Sequence, residues 1–324
     1  MRSPALAGSL LLFTSACATP PAATSPAAAP SSAPVPPGPS VEIAVTVDDL
    51  PAHGPAAPGL DRMAIAERLI AAFRAHHLPP VYGFVNGAKV EEQPETEAVL
   101  RRWIDAGNPL GNHTFSHPSL HETSLADYLA DLDRGEAILA KLSPERATWK
   151  VFRYPFLYEG DTLEKRDGVR GHLAARGYRI AEVTIDADDW AFNPPFARCL
   201  GRGDLAAAAD LRRDFVAAHV EELERMRALT RALAQREVPQ VLLLHIGAAD
   251  ADAIDALLTA YEHAGARFVE LGEALADPFY AIDPHLPMRA GAAFPYVVAR
   301  SRGVTTPPPV YARDLEERLD RVCR

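Results

Sequence analysis

From Val41 to Glu270, short apolar runs alternate with stretches of helical periodicity, and that alternation leaves few folds open. Val41–Val47 is β-branched and apolar and runs into Asp48-Asp49-Leu50-Pro51, which predicts a buried strand ending in a turn. Between Asp61 and His77, the residues Met63, Ile65, Leu69, Ile70 and Phe73 share one helical face, and Pro79-Pro80 stops the helix. Val81–Val85 reads as a strand, Pro94–Ala106 as a helix ended by Gly107, and Ser124 as the cap of a long helix reaching Leu142. Further strands are expected at Val151-Phe152, Tyr178–Ile185, Val241–Leu244 and Arg267–Val269, with helices at 162–176, 204–236 and 251–264. Asn193–Gly203, interrupted by prolines, reads as loop. Six or seven strand–helix units imply an α/β fold, a parallel sheet wrapped by helices. In a barrel of that kind, active groups gather at the carboxyl ends of the strands.

The ends of the chain carry different information. Arg2, the apolar run Ala5–Phe13 and the small residues Ser15–Ala18 suggest an export signal over residues 1–17. Thr14-Ser15-Ala16-Cys17 is close to a lipobox, which would make Cys17 a lipid anchor to the membrane; plain cleavage after Ala18 is the competing reading. Residues 18–40 are nearly all Pro, Ala, Ser and Thr, a composition for an extended spacer. The expected destination is therefore the periplasm or cell envelope. The catalytic domain is expected over 41–276, with a helical insertion near 204–236. A proline-rich extension follows at 277–324, read as a strap across the barrel with a final helix over 312–322. A net charge of -10 with no basic stripe argues against a nucleic-acid partner. Three cysteines cannot make a disulfide framework, although Cys199 and Cys323 could pair in an oxidising compartment.

Several polar residues invite chemistry. His113 and His117 lie four apart in GNHTFSHP, and one helical turn or a tight loop would bring both imidazoles to one side. Two neutral imidazoles begin a zinc site that still needs a carboxylate and an open position for water. Asp48 and Asp49 can share a site only because their strand ends there, since neighbouring side chains on a strand face opposite ways. Asp186 and Asp188 read as turn or surface residues. Trp190 reads as packing, and His53, His121, His172, His219 and His263 as outside any catalytic set.

Five segments together are similar to one family: TVDD at 46–49, HTFSH at 113–117, RYPF at 153–156, DADDW at 186–190 and LLLH at 242–245. They resemble the polysaccharide deacetylases of the NodB-homology group, carbohydrate esterase family four, over roughly residues 41–275. The resemblance implies a distorted (β/α)7-type barrel and a divalent metal, zinc first with cobalt or nickel as options. The implied reaction removes acetyl groups from N-acetylated or O-acetylated carbohydrate. It further implies Asp49, His113 and His117 as metal ligands, Asp48 as general base and Arg153 as its partner. Asp189 would lie beside His245, the general acid. Tyr154, Pro155, Trp190 and Leu243 would bind substrate, with Leu243 lining the acetyl pocket and the Tyr154 N–H facing the oxyanion. Val47 stands where the family usually has Phe, and Leu50-Pro51 replaces an aromatic segment, which points to a branch with its own substrate. Two other readings share the fold: a hydrolase of non-sugar linear or cyclic amides, and a non-catalytic envelope-binding lipoprotein.

Overall fold

The computed structural model describes residues 41–143, 149–306 and 314–324. The expected export signal, the spacer and Cys17 lie outside the described residues, as does the start of the expected final helix.

Strand β1 (Val41–Leu50) is the axis of the molecule. Its β-branched residues are buried on both faces, as a parallel sheet covered on both sides requires. One edge pairs in parallel with β6 (Gln240–His245) from Ile43 to Asp48. The other edge is shared by β7 (Ala266–Phe268), which takes Val41–Ile43, and β2 (Tyr82–Val85), which begins at Thr46. Beyond β2 follow β3 (Leu110–Asn112), β4 (Val151–Phe152) and β5 (Arg179–Ile180), all parallel.

The stretch after β5 closes the sheet on itself. Ala181 N–H still donates to Phe152 O on β4 at 2.8 Å, yet four residues later Ile185 N–H donates to Val241 O on β6 at 3.0 Å. Leu243 N–H returns a bond to Ile185 O at 3.0 Å, and the Thr184 hydroxyl accepts from Val241 N at 2.7 Å. The expected strand over 178–185 is thus a short ladder followed by a bridge, because one segment must turn from one edge to the other. The result is the distorted seven-stranded barrel with helices outside.

The helices form where the apolar spacing places them: α1 (Arg62–Ala75), α2 (Gly87–Glu92), α3 (Glu97–Asp105), α4 (Leu125–Leu142) and α5 (Leu163–Ala175). Asp61, Ser124 and Thr162 cap α1, α4 and α5 by accepting a backbone N–H three residues on. One expectation fails. Asn193–Arg202 is a helix, α6, and not a loop, since its prolines occupy the first turn, where no N–H is needed. The long helix α7 (Leu205–Ala234) buries Leu211, Phe215, Ala218 and Met226 against its neighbours α6 and α8 (Ala248–His263).

The C-terminal extension packs on the barrel. Met288 N–H donates to Gly160 O at 2.9 Å, and Phe294 N–H donates to Val183 O at 2.7 Å before a helix at Phe294–Ser301. Cys199 and Cys323 form a disulfide 124 residues apart, which spacing could not foretell. No described helix is long and apolar enough to cross a membrane.

Candidate metal centre

The site begins where β1 loses its regularity. Between Val47 and Leu50 the β1–β2 register shifts, and Asp49 takes a left-handed backbone conformation with φ 68°. That conformation is costly for a residue with a side chain and persists only where surrounding contacts hold it. Its effect is to turn two adjacent aspartates towards one place, which a straight strand forbids.

Asp48 is buried, and Nη1 of Arg153 lies 3.2 Å from each of its carboxylate oxygens. Arg153 is itself locked: Nε donates to Ala181 O at 2.7 Å and Nη2 to the Thr46 hydroxyl at 3.1 Å, with the guanidinium over the Phe84 ring. Burial pushes the Asp48 carboxyl up, and the charge of Arg153 pulls against it.

Asp49 is held from one side only. Its Oδ2 lies 2.8 Å from His53 Nδ1 and 3.2 Å from Lys89 Nζ. Its Oδ1 is buried without a hydrogen-bond partner, 3.7 Å from His113 Nε2 and 3.5 Å from His117 Nε2. Burial would raise this carboxyl, but the His53 hydrogen bond and the Lys89 charge outweigh it and hold it well below the usual range. His53, read as outside the catalytic set, thus lies at the site against Asp49. The turn in which Ala52 N–H returns to Asp49 O carries the chain back over the carboxylate.

The two histidines sit in a tight loop, the second of the two geometries open to their spacing. Thr114 and His117 both have positive φ, 65° and 58°. Asp131 on α4 fastens the loop by accepting from Phe115 N at 2.8 Å, Ser116 N at 2.9 Å and the Ser116 hydroxyl at 2.7 Å. Asn86 Nδ2 donates to His113 O at 2.7 Å. His113 Nδ1 lies 2.8 Å from Arg153 O, so this nitrogen is the donor and Nε2 is left with its lone pair towards Asp49. Burial pushes His113 down to about 4 and His117 to about 3, so both rings are neutral. A partnerless buried carboxylate oxygen facing two neutral imidazole nitrogens is a donor set that can hold a divalent metal ion.

His245, at the end of β6, is fixed by Asp189, whose carboxylate takes the backbone N–H at 2.6 Å and lies 2.9 Å from Nδ1. Behind it stands a residue that no sequence signal marked. Asp250, in the first turn of α8, is fully buried and accepts from Asn193 Nδ2 at 2.9 Å. Burial lifts the Asp189 carboxyl to about 7 and raises that of Asp250 well above its ordinary value.

Asp48, Asp49, His53, His113, His117 and His245 form the floor of a cavity of about 430 Å³. Tyr154, Phe156, Leu157, Tyr158 and Leu243 line it, together with Trp190, which is 38% exposed and not core packing. Asp186 and Asp188 also line it, half-buried, contrary to their reading as surface turn residues. Pro155 is buried at the start of a one-turn 3₁₀ helix and does not line the cavity. Ala290 and Gly291 of the C-terminal extension complete the wall, and a Cβ at Gly291 would lie 2.0 Å from Phe156 O. No residue of α7 lines this space directly.

Fold and site define a parallel α/β barrel with a candidate metal centre at the carboxyl ends of its strands. Residues 36–171 match the polysaccharide deacetylase family model, a region that holds the first three motifs. Among curated proteins, the peptidoglycan-N-acetylmuramic acid deacetylase PdaC of Bacillus subtilis is 33% identical over 107 residues, 33% of this chain and 20% of that protein. A chitin deacetylase of Colletotrichum lindemuthianum is 29% identical over 35% of this chain and 43% of its own length. The chain thus spans less than half the length of these relatives. The solved structure of a chitin deacetylase from the same fungus aligns over 74% of this chain and 88% of that one, with 22% identity and a TM-score of 0.49.

Proposed function

We propose that the protein is an exported, metal-dependent hydrolase that removes acetyl groups from acetylated carbohydrate of the cell envelope. The observation that carries this reading is the Asp49 oxygen, buried and unpartnered, between His113 and His117 and beside the ion-paired Asp48. Asp49, His113 and His117 would hold the ion, and one oxygen with two nitrogens suits zinc. When bound, the ion supplies Lewis acidity at the acyl carbonyl and makes water a stronger acid.

The chain's own groups perform the proton transfers. Asp48 takes the proton of the attacking water, and Arg153 keeps that carboxylate ionised and aimed. The backbone N–H of Tyr154 donates to the oxyanion. His245 then protonates the leaving nitrogen from Nε2, because amines leave poorly unless protonated. Asp189, in contact with both the backbone N–H and Nδ1 of His245, holds the ring in place for that transfer. In this reading Leu243 contacts the acetyl methyl, and Trp190 lies against a sugar face. Cys17 would tether the protein to the membrane.

One observation favours a narrower substrate. The strap at Ala290-Gly291 closes the cavity against Phe156, which suits a short oligosaccharide, a chain end or a small non-sugar amide better than the interior of a long polymer. The test is deacetylation of N-acetylated oligosaccharides of increasing length, before and after chelation. Activity lost to chelator and restored by zinc, with no gain from added sugars, supports both statements. Chelator-insensitive turnover refutes the metal mechanism, and a steady gain with length refutes the short-substrate preference.

A further inference from the structure

His53 has no part in the proton transfers above, yet it makes the shortest contact to Asp49, 2.8 Å from Nδ1 to Oδ2. A carboxylate has two oxygens and can turn about its own bond. Either oxygen could face the two imidazoles, or both could at once. Here the choice is removed, because His53 and Lys89 occupy Oδ2 and leave only Oδ1 towards His113 and His117. His53 is itself anchored: its N–H donates to Ile246 O at 3.3 Å, its carbonyl accepts from Arg62 Nη1 at 2.8 Å, and its ring lies 4.5 Å from that of His245. The imidazole is therefore a fixed donor to a residue whose backbone sits in a costly conformation.

We propose that His53 is a positioning residue for the metal site, holding the outer oxygen of Asp49 so that the inner one is presented as a single, oriented ligand. The proposal rests on reading Asp49, His113 and His117 as the ligands. An alternative use of the same atoms is a second ion between Asp49, His53 and His245, whose ligand atoms lie within 4.8 Å of one another. The Lys89 ammonium, 3.2 Å from that same Oδ2, already places a cation on this face, and His245 Nδ1 is committed to Asp189. One ion with a supporting histidine fits the contacts better than two.

The experiment measures zinc and cobalt dissociation constants of the full chain by competition with a chromophoric chelator, together with the number of ions bound. His53→Phe and His53→Ala remove the donor, the second without added bulk. His53→Asn returns an N–H near the Nδ1 position. Loss of a hydrogen bond behind a ligand typically weakens metal binding about 10–100-fold, so both donor-less variants are expected in that range with the Asn variant recovering most of it. A metal-free melting temperature equal to that of the unaltered protein excludes general damage. Unchanged affinity in His53→Ala overturns the proposal, and so does binding of two ions that falls to one in that variant, which would make His53 a ligand. His117→Ala is the reference: if it binds zinc as tightly as the unaltered chain, the ligand assignment itself is wrong, whatever His53 does.

Discussion

The floor and the mouth of the cavity are built by different rules. On the floor, Asp48, Asp49 and His113 are buried, held by Arg153 at a strand end, by His53 on a turn and by Lys89 on α2. At the mouth, Phe156 is 51% exposed and Trp190 38%, and the opposing wall comes from Ala290-Gly291, far along the chain. Burial strengthens each charge on the floor and makes each group depend on its partner. Exposure leaves the Phe156 and Trp190 side chains free to vary at little cost to folding. Chemistry is thus fixed in the rigid part, and substrate choice in the tolerant part.

The sharpest way to break this contrast is Asp48→Asn. Loss of a general base should lower turnover by roughly 10²–10⁴-fold while metal binding persists, because the amide keeps the shape but cannot take a proton. Near-normal turnover in a protein that still binds zinc would remove Asp48 from the mechanism. Next in size is Arg153→Met, which leaves the buried Asp48 without its partner. Breaking such a pair should cost about 3 kcal/mol or more in denaturant unfolding. A loss under about 1 kcal/mol would show that the floor is less interdependent than its contacts suggest.

The same contrast explains what is legible in the sequence. Asp48-Asp49, the two histidines and Arg153 stand in short motifs at strand ends, so residue type and position mark them together. His53 and Asp250 escape a reading of the sequence. A four-residue turn returns His53 to Asp49, and Asp250 looks like any acid in the first turn of a helix. Neither carries a local signal, because tertiary contact alone defines its role. The strand–helix alternation is legible throughout the barrel, but not its closure. That depends on where the stretch from Arg179 to Ile185 turns, and periodicity does not record a change of partner. The wall at Gly291 is illegible for the same reason, since it meets Phe156 across more than a hundred residues of chain.

His219 offers a control with no ligand role, and so sharpens the meaning of burial on the floor. It is fully buried on α7, stacked on Phe215 at 4.2 Å, and burial pushes its pKa down to about 4, as for His113. A folded value below the unfolded 6.5 means that the fold prefers the neutral ring. Its contribution is intact above pH 6.5 and is lost as pH falls from there towards 4. By pH 5 the loss should approach about 2 kcal/mol, since a tenfold change in a protonation equilibrium is worth about 1.4 kcal/mol. In urea unfolding, His219→Leu should therefore lose less stability than the unaltered protein between pH 7 and pH 5. Parallel pH curves for the two proteins would mean that burial at this site does not set the ring's charge.

The smallest expected effect is at the mouth, and it tests whether binding and chemistry are separate. The Trp190 ring, 38% exposed, lies beside the cavity next to Asp188. If the ring's work is to lie against a sugar face, the contact exists in the bound substrate and the transition state alike. Trp190→Ala should then raise KM about tenfold with kcat nearly unchanged, the signature of uniform binding. Stability should move by less than about 0.5 kcal/mol, because little apolar surface is buried there. Trp190→Phe should fall between, keeping a ring but a smaller one. A fall in kcat instead would tie Trp190 to the neighbouring Asp189–His245 pair, and the division between floor and mouth would not hold at that point.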